Sequence, residues 1–176
     1  MYYSPWDISF ESIFELWFQL ERIQQNRFED VRLTEVVLDS EITQRNLTAT
    51  ITRVLSGSSL QPMLRKRTNL RARAGSTIRL RVFLQPAGVA AERPVDLTLA
   101  VPRRTGQGRL EIRGGNGDEG PGNPDSLDEL LANLAGAEHN FDLTAELNVC
   151  RATRKAVAAQ PDVIRGRRSI SVFVVR

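Results

Sequence analysis

The sequence predicts a mainly β protein: an antiparallel two-sheet β-sandwich of Ig-like type with an N-terminal amphipathic helix and one short capped helix. Three observations point there. Apolar and polar residues alternate with period two in about seven segments. Glycine, proline and asparagine separate those segments at short intervals. Only two stretches keep helical spacing, which is the pattern of a sandwich and not of an α/β fold.

The 176 residues, 41% apolar and 26% charged, suit one globular domain with a sizeable core. Twenty-four basic and 21 acidic residues leave a formal charge of +3. That modest arginine excess permits nucleic-acid binding without indicating it, so no nucleic acid is expected as a partner. No apolar run approaches the roughly 18–20 residues of a membrane helix. Asp7 and Glu11 interrupt the N-terminus before any apolar signal segment forms. A single cysteine, Cys150, excludes an internal disulfide.

Seven of the eleven aromatic residues fall in the first eighteen positions: Tyr2, Tyr3, Trp6, Phe10, Phe14, Trp17 and Phe18. Phe10, Ile13, Phe14, Trp17, Leu20 and Gln24 recur at three and four spacing, so a helix is expected from about Ser9 to Gln25. Ser12 and Glu15 read as a capping box near its start. The apolar face has two readings, closure of the domain's own core or docking of a neighbouring domain. Under the second, Trp6, Phe10, Phe14, Trp17 and Phe18 form the partner interface. Residues 1–25 are therefore set apart from a β-sandwich domain over 26–176, with a short helix inserted near 127–135.

From Val31 the period changes. Val36, Leu38 and Ile42 alternate with Val37, Asp39 and Glu41, a turn follows at Gln44–Asn46, and Leu47, Ala49 and Ile51 alternate with threonines, the pattern of a half-buried hairpin. Ser56–Arg73 reads as a long loop or an irregular edge. After a turn at Ala74 and Gly75, Ile78, Leu80, Val82 and Leu84 point to one side, and Arg79, Arg81 and Phe83 to the other. Pro86–Pro94 connects to a strand of Val95, Leu97, Leu99 and Val101, ended by Pro102. Leu110 and Ile112 follow a turn at Thr105–Gly108. Ser126 and Glu129 cap a helix whose face is Leu127, Leu130, Leu131 and Leu134, stopped by Gly136. Phe141, Leu143, Ala145, Leu147 and Val149 form one strand, and Ile170, Val172 and Val174 the last.

The residues that carry chemistry elsewhere are sparse. One histidine, His139, and one cysteine cannot build the usual zinc sites. As a nucleophile pair they lack a third, orienting group, and Cys150 falls on the polar side of its strand. Ser56–Leu60, "SGSSL", has the small residues of a serine-nucleophile loop but reads as a plain turn. The run "LRKRTNLRARAGSTIRLR" carries Arg65, Lys66, Arg67, Arg71, Arg73, Arg79 and Arg81, either a solvated face or a surface for an acidic partner, without aromatic stacking residues. Asn46-Leu47-Thr48 fits a glycosylation sequon in form only. Gly114–Gly122, "GGNGDEGPG", offers two carboxylates where calcium takes about six to eight oxygens, and reads as a connector to the capped helix. No metal and no cofactor are expected.

Four segments, "NRFEDVRLTEVVLD", "GSTIRLRVFLQP", "VDLTLAVPRRTGQGRLEIRGG" and "PDSLDELLANLAGAEHN", occur in an order that resembles the region following the peptidase domain in bacterial serine peptidases of the SpoIVB type. The resemblance runs from about Asn26 to the C-terminus. Members of that family carry their nucleophile in a Gly-Met-Ser-Gly-Ser-Pro type segment of a separate domain, which this sequence lacks, so no catalytic residue carries over. The resemblance implies a non-catalytic accessory β domain, exported or at the cell surface in its bacterial parent. Its role there is positioning, substrate contact or surface interaction, and its partner is the parent's peptidase domain or another protein. A free-standing Ig-like binding or structural domain is the alternative.

Overall fold

The computed structural model describes residues 8–37, 47–115, 124–135 and 139–176, with backbone alone for 8–12 and 15. Contacts divide the chain into two units, Met1–Arg45 with Asn116–Asn140, and Asn46–Gly115 with Phe141–Arg176.

The second unit is a β-sandwich. Its strands are β1 (Thr48–Ser58), β2 (Asn69–Arg73), β3 (Thr77–Pro86), β4 (Arg93–Ala100), β5 (Gly106–Gly114), β6 (Asp142–Val149), β7 (Ala152–Ala159), β8 (Val163–Arg165) and β9 (Arg167–Val175). One sheet has the order β4-β3-β1-β8 and the other β2-β9-β5-β6-β7. Most pairs are antiparallel as expected, but β1 with β8 and β2 with β9 run parallel. The alternation read from the sequence carries the core. Ile78, Leu80, Val82 and Leu84 of β3 meet Leu110, Ile112, Leu143, Leu147 and Val172 of the other sheet in one buried cluster. Each such side chain contributes about 1.5–3 kcal/mol when it leaves water.

The chain changes sheets at a single residue. β8 lies in one sheet and β9 in the other, and Gly166 between them has φ +96°, a conformation that a side chain would strain. Arg168 then reaches back, its Nη2 donating to the carbonyls of Ile51 and Thr52 at 3.1 and 3.2 Å. Those carbonyls stand at the irregularity in β1 between Ile51 and Arg53. A bulge there re-aims Arg53 so that its guanidinium lies 3.7 Å from the centre of the Phe83 ring.

Several strand boundaries depart from the sequence reading. β1 runs to Ser58 and β2 takes Asn69–Arg73, so the expected long loop shrinks to 59–68. β5 starts at Gly106, inside the expected turn. β2 is an edge strand, within the stretch for which an irregular edge is one of the two expectations, whereas β7 and β8 are not predicted by the sequence pattern. Residues 31–37, the start of the expected first hairpin arm, belong to no strand, and its remainder, 38–46, lies outside the described residues.

The first unit contains α1 (Ile8–Gln24) and α2 (Leu127–Ala135), which touch each other. α1 begins at Ile8, so Ser12 and Glu15 stand inside the helix and not at its cap. Asn26 ends it: its Nδ2 donates to the Ile23 carbonyl at 2.7 Å, and its Oδ1 accepts from the amides of Phe28 and Glu29 at 2.9 Å. In α2 the expected capping box is present. Ser126 Oγ accepts from the Glu129 amide at 3.1 Å, while the Glu129 carboxylate accepts from the Asp125 amide at 2.8 Å, one residue further back than the standard partner. Gly136 lies outside the described residues.

Candidate functional site

Two surfaces stand out, one in each unit. On α1 the expected single apolar face is split. Leu16, Leu20 and Ile23 form a half-buried stripe, whereas Ile13, Phe14, Trp17 and Phe18 are 57%, 44%, 63% and 58% exposed. Phe14 and Phe18, one turn apart, have ring centroids 6.3 Å apart. Side chains of this size leave on the order of 400 Å² of apolar surface in water, the size of patch that commonly serves an interaction. Phe10 lies on α1 with its side chain outside the described residues, as is all of Trp6.

The second surface is the outer face of the five-stranded sheet. Strand pairing lines up Asn69, Ser171, Arg109, Asn148 and Thr153 in one row across β2, β9, β5, β6 and β7. The next row, toward the end of β9, holds Arg71, Phe173 and Gln107, and beyond it Arg73 stands beside Val175. A shallow hollow of about 430 Å³ opens on the first row, lined by Gln107, Gly108, Arg109, Asn148, Ser169 and Ser171. Arg109 Nε donates to Ser169 Oγ at 2.8 Å. Asn148 accepts from Thr153 Oγ1 at 2.5 Å and donates to Glu146 at 2.7 Å.

Charge is segregated along these strands. In the row on the other side of Arg109, Glu111 faces Glu146, and both are matched: Glu111 by Arg167, Glu146 by Arg113 at 3.8 Å. The Arg71, Arg109 and Arg73 rows contain no acid, and among the described residues none of these three guanidiniums takes part in an ion pair.

The arginine run read from the sequence does not form one patch. Arg71 and Arg73 lie on this face, but Arg79 and Arg81 project from the outer face of the four-stranded sheet. There Arg79 donates to the Pro62 carbonyl at 2.6 Å, and Arg81 bonds both oxygens of its cross-strand partner Asp96 at 2.7 and 2.8 Å. Those bonds hold the Asp96 carboxyl below its usual range and raise Arg81. Glu92 is also held low, first by the hydrogen bond from Thr52 at 2.7 Å and then by Arg53, paired at 2.9 Å.

The "SGSSL" segment is part strand and part turn: Ser56 and Ser58 are buried at the end of β1, with Ser58 Oγ donating to the Arg71 carbonyl at 2.5 Å, and the expected turn begins at Ser59, closed by backbone hydrogen bonds between Ser58 and Gln61. Cys150 is not on a strand face either. With Arg151 it forms the two-residue turn from β6 to β7, both at positive φ, 46° and 66°. His139 precedes β6 in the chain and Cys150 follows it. Among the described residues no three histidine, cysteine or carboxylate side chains gather to hold a metal ion. Residues 116–123 of the glycine-rich acidic stretch, and Asn46 of the sequon, lie outside the described residues.

Fold and surfaces together define a β-sandwich protein with an exposed aromatic helix face and an arginine-bearing sheet face. In comparison with known proteins, no family model, no curated protein and no solved structure matches the chain.

Proposed function

We propose that this chain is a non-catalytic accessory β domain of a bacterial SpoIVB-type serine peptidase, exported or at the cell surface, which contacts its peptidase domain through the aromatic face of α1. The observation that carries the reading is the exposure of Ile13, Phe14, Trp17 and Phe18 on a helix whose neighbouring stripe, Leu16, Leu20 and Ile23, is half-buried. Water is a poor resting place for four such side chains, and aromatic residues of this kind dominate binding energy at protein interfaces. The ordered set of segments resembling the region behind such peptidases supplies the occupant.

Titration of the parent's peptidase domain with this chain tests it. Phe14→Ala with Trp17→Ala is expected to weaken association at least tenfold, a change of about 1.4 kcal/mol or more, and to leave the unfolding free energy within about 0.5 kcal/mol of the original. Absence of association, or a stability loss of several kcal/mol, would return the aromatic face to the protein's own packing. A free-standing Ig-like binding domain is the second reading, favoured by the polar sheet face, which is complete within the second unit.

A further inference from the structure

We propose that the outer face of the five-stranded sheet binds an acidic polysaccharide, its carboxylates held by Arg109 and Arg71 and its hydroxyls by the row of short polar side chains across the strands. The proposal needs only the second unit and stands whether or not the peptidase reading does.

Arg109 is the anchor. Ser169 holds its Nε at 2.8 Å, which fixes the plane of the guanidinium, and among the described residues its two terminal nitrogens have no acceptor. A planar fork held in this way is suited to a bidentate carboxylate. Arg71 is in the next row and Arg73 in the one after, each row about 6.7 Å from the last. The acids of this face are already matched by Arg167 and Arg113, so the field above these rows is positive.

The neighbours of Arg109 are sugar-binding in character. Asn148 is locked by Thr153 and Glu146, and Ser171 and Gln107 border the same hollow. Hydroxyls and amides both donate and accept, as sugar hydroxyls do. Phe173, 40% exposed between Arg71 and Gln107, adds an apolar platform for the C–H face of a pyranose ring. Five strands about 4.8 Å apart present the row over about 19 Å, room for several sugar units. A nucleic acid fits less well, because one exposed phenylalanine offers no succession of stacking platforms.

Calorimetric titration of the full chain with hexagalacturonate, a neutral hexasaccharide and an oligothymidylate tests the proposal. Hexagalacturonate is expected to bind at least about tenfold tighter than either competitor and to weaken from about 50 to 200 mM salt. Arg109→Ala and Arg71→Ala, both at exposed positions, should each lower that affinity at least about fivefold with the unfolding midpoint unchanged. Arg109→Lys should restore only part of it, because the charge remains and the fork does not. Failure of hexagalacturonate to bind, tighter binding of the oligothymidylate, or binding untouched by both alanine variants would each overturn the assignment.

Discussion

Gly114 sets how closely the two sheets approach at one corner of the sandwich. A Cβ at that position would meet the Ile164 carbonyl oxygen at 2.1 Å and its carbon at 2.9 Å, and these are backbone atoms that cannot swing aside. Gly114→Ala is therefore expected to destabilise the protein by about 1–3 kcal/mol, read as a lower midpoint in urea. An unchanged midpoint would mean that β5 and β8 part there without cost. Glu92 is a residue of another kind, a surface carboxylate that reports on pH. Thr52 and Arg53 lower its folded pKa below the ordinary value, so its contribution is fully present above the usual carboxylate range and is lost as pH falls through the lowered value. Glu92→Gln should accordingly be less stable than the parent at neutral pH, and the two melting curves should converge in acid once the pH has fallen through that lowered value. A gap of constant width would assign the effect to packing.

At the scale of elements, legibility followed side-chain contrast. β3 and β4 were readable because large aliphatic residues alternate with arginine, aspartate and threonine, and α2 because Ser126 and Glu129 stand three apart before a leucine face. β7 was not, because Ala156 and Ala158 face inward where a sheet edge needs little volume, and small residues leave no period. β2 offers only Leu70 and Ala72 to the core between arginines. The α1 surface was legible as a concentration of aromatics, though the sequence could not say that Leu20 parts from Trp17. Nothing local marks the sheet face, since its residues come from β2, β5, β6 and β9 and meet only through register, two of those strands being parallel neighbours. The cap of α2 is the element-level test: Ser126→Ala should cost about 1 kcal/mol of local helix stability, seen as faster hydrogen exchange at the amides of Glu129 and Leu130. Unaltered exchange would show that packing and not the cap holds that end.

On the scale of the whole molecule, the sandwich holds its longer open edges in check. β4 and β7 are edge strands. Pro94 withholds a backbone donor from β4, and Arg154 and Lys155 place charge on β7, devices that discourage strand addition. Arg93, the first residue of β4, pairs with Asp162 at 3.0 Å, a link between the two segments of sequence that make up the second unit. The two broad faces of this unit differ: on the four-stranded side Arg53 and Arg81 are paired with Glu92 and Asp96 and Arg79 is held by the Pro62 carbonyl, whereas on the five-stranded side Arg71, Arg73 and Arg109 take part in no ion pair among the described residues.

The turn at Cys150 has a practical consequence. It carries the chain's one thiol, exposed, at one end of the five-stranded sheet, where Sγ donates to the Thr105 carbonyl at 3.7 Å just before β5 and Arg104 donates to the Cys150 carbonyl at 3.2 Å. A maleimide fluorophore therefore attaches to the unaltered protein at a single known place, and the protein comes with its own optical gauge for whatever settles on that sheet.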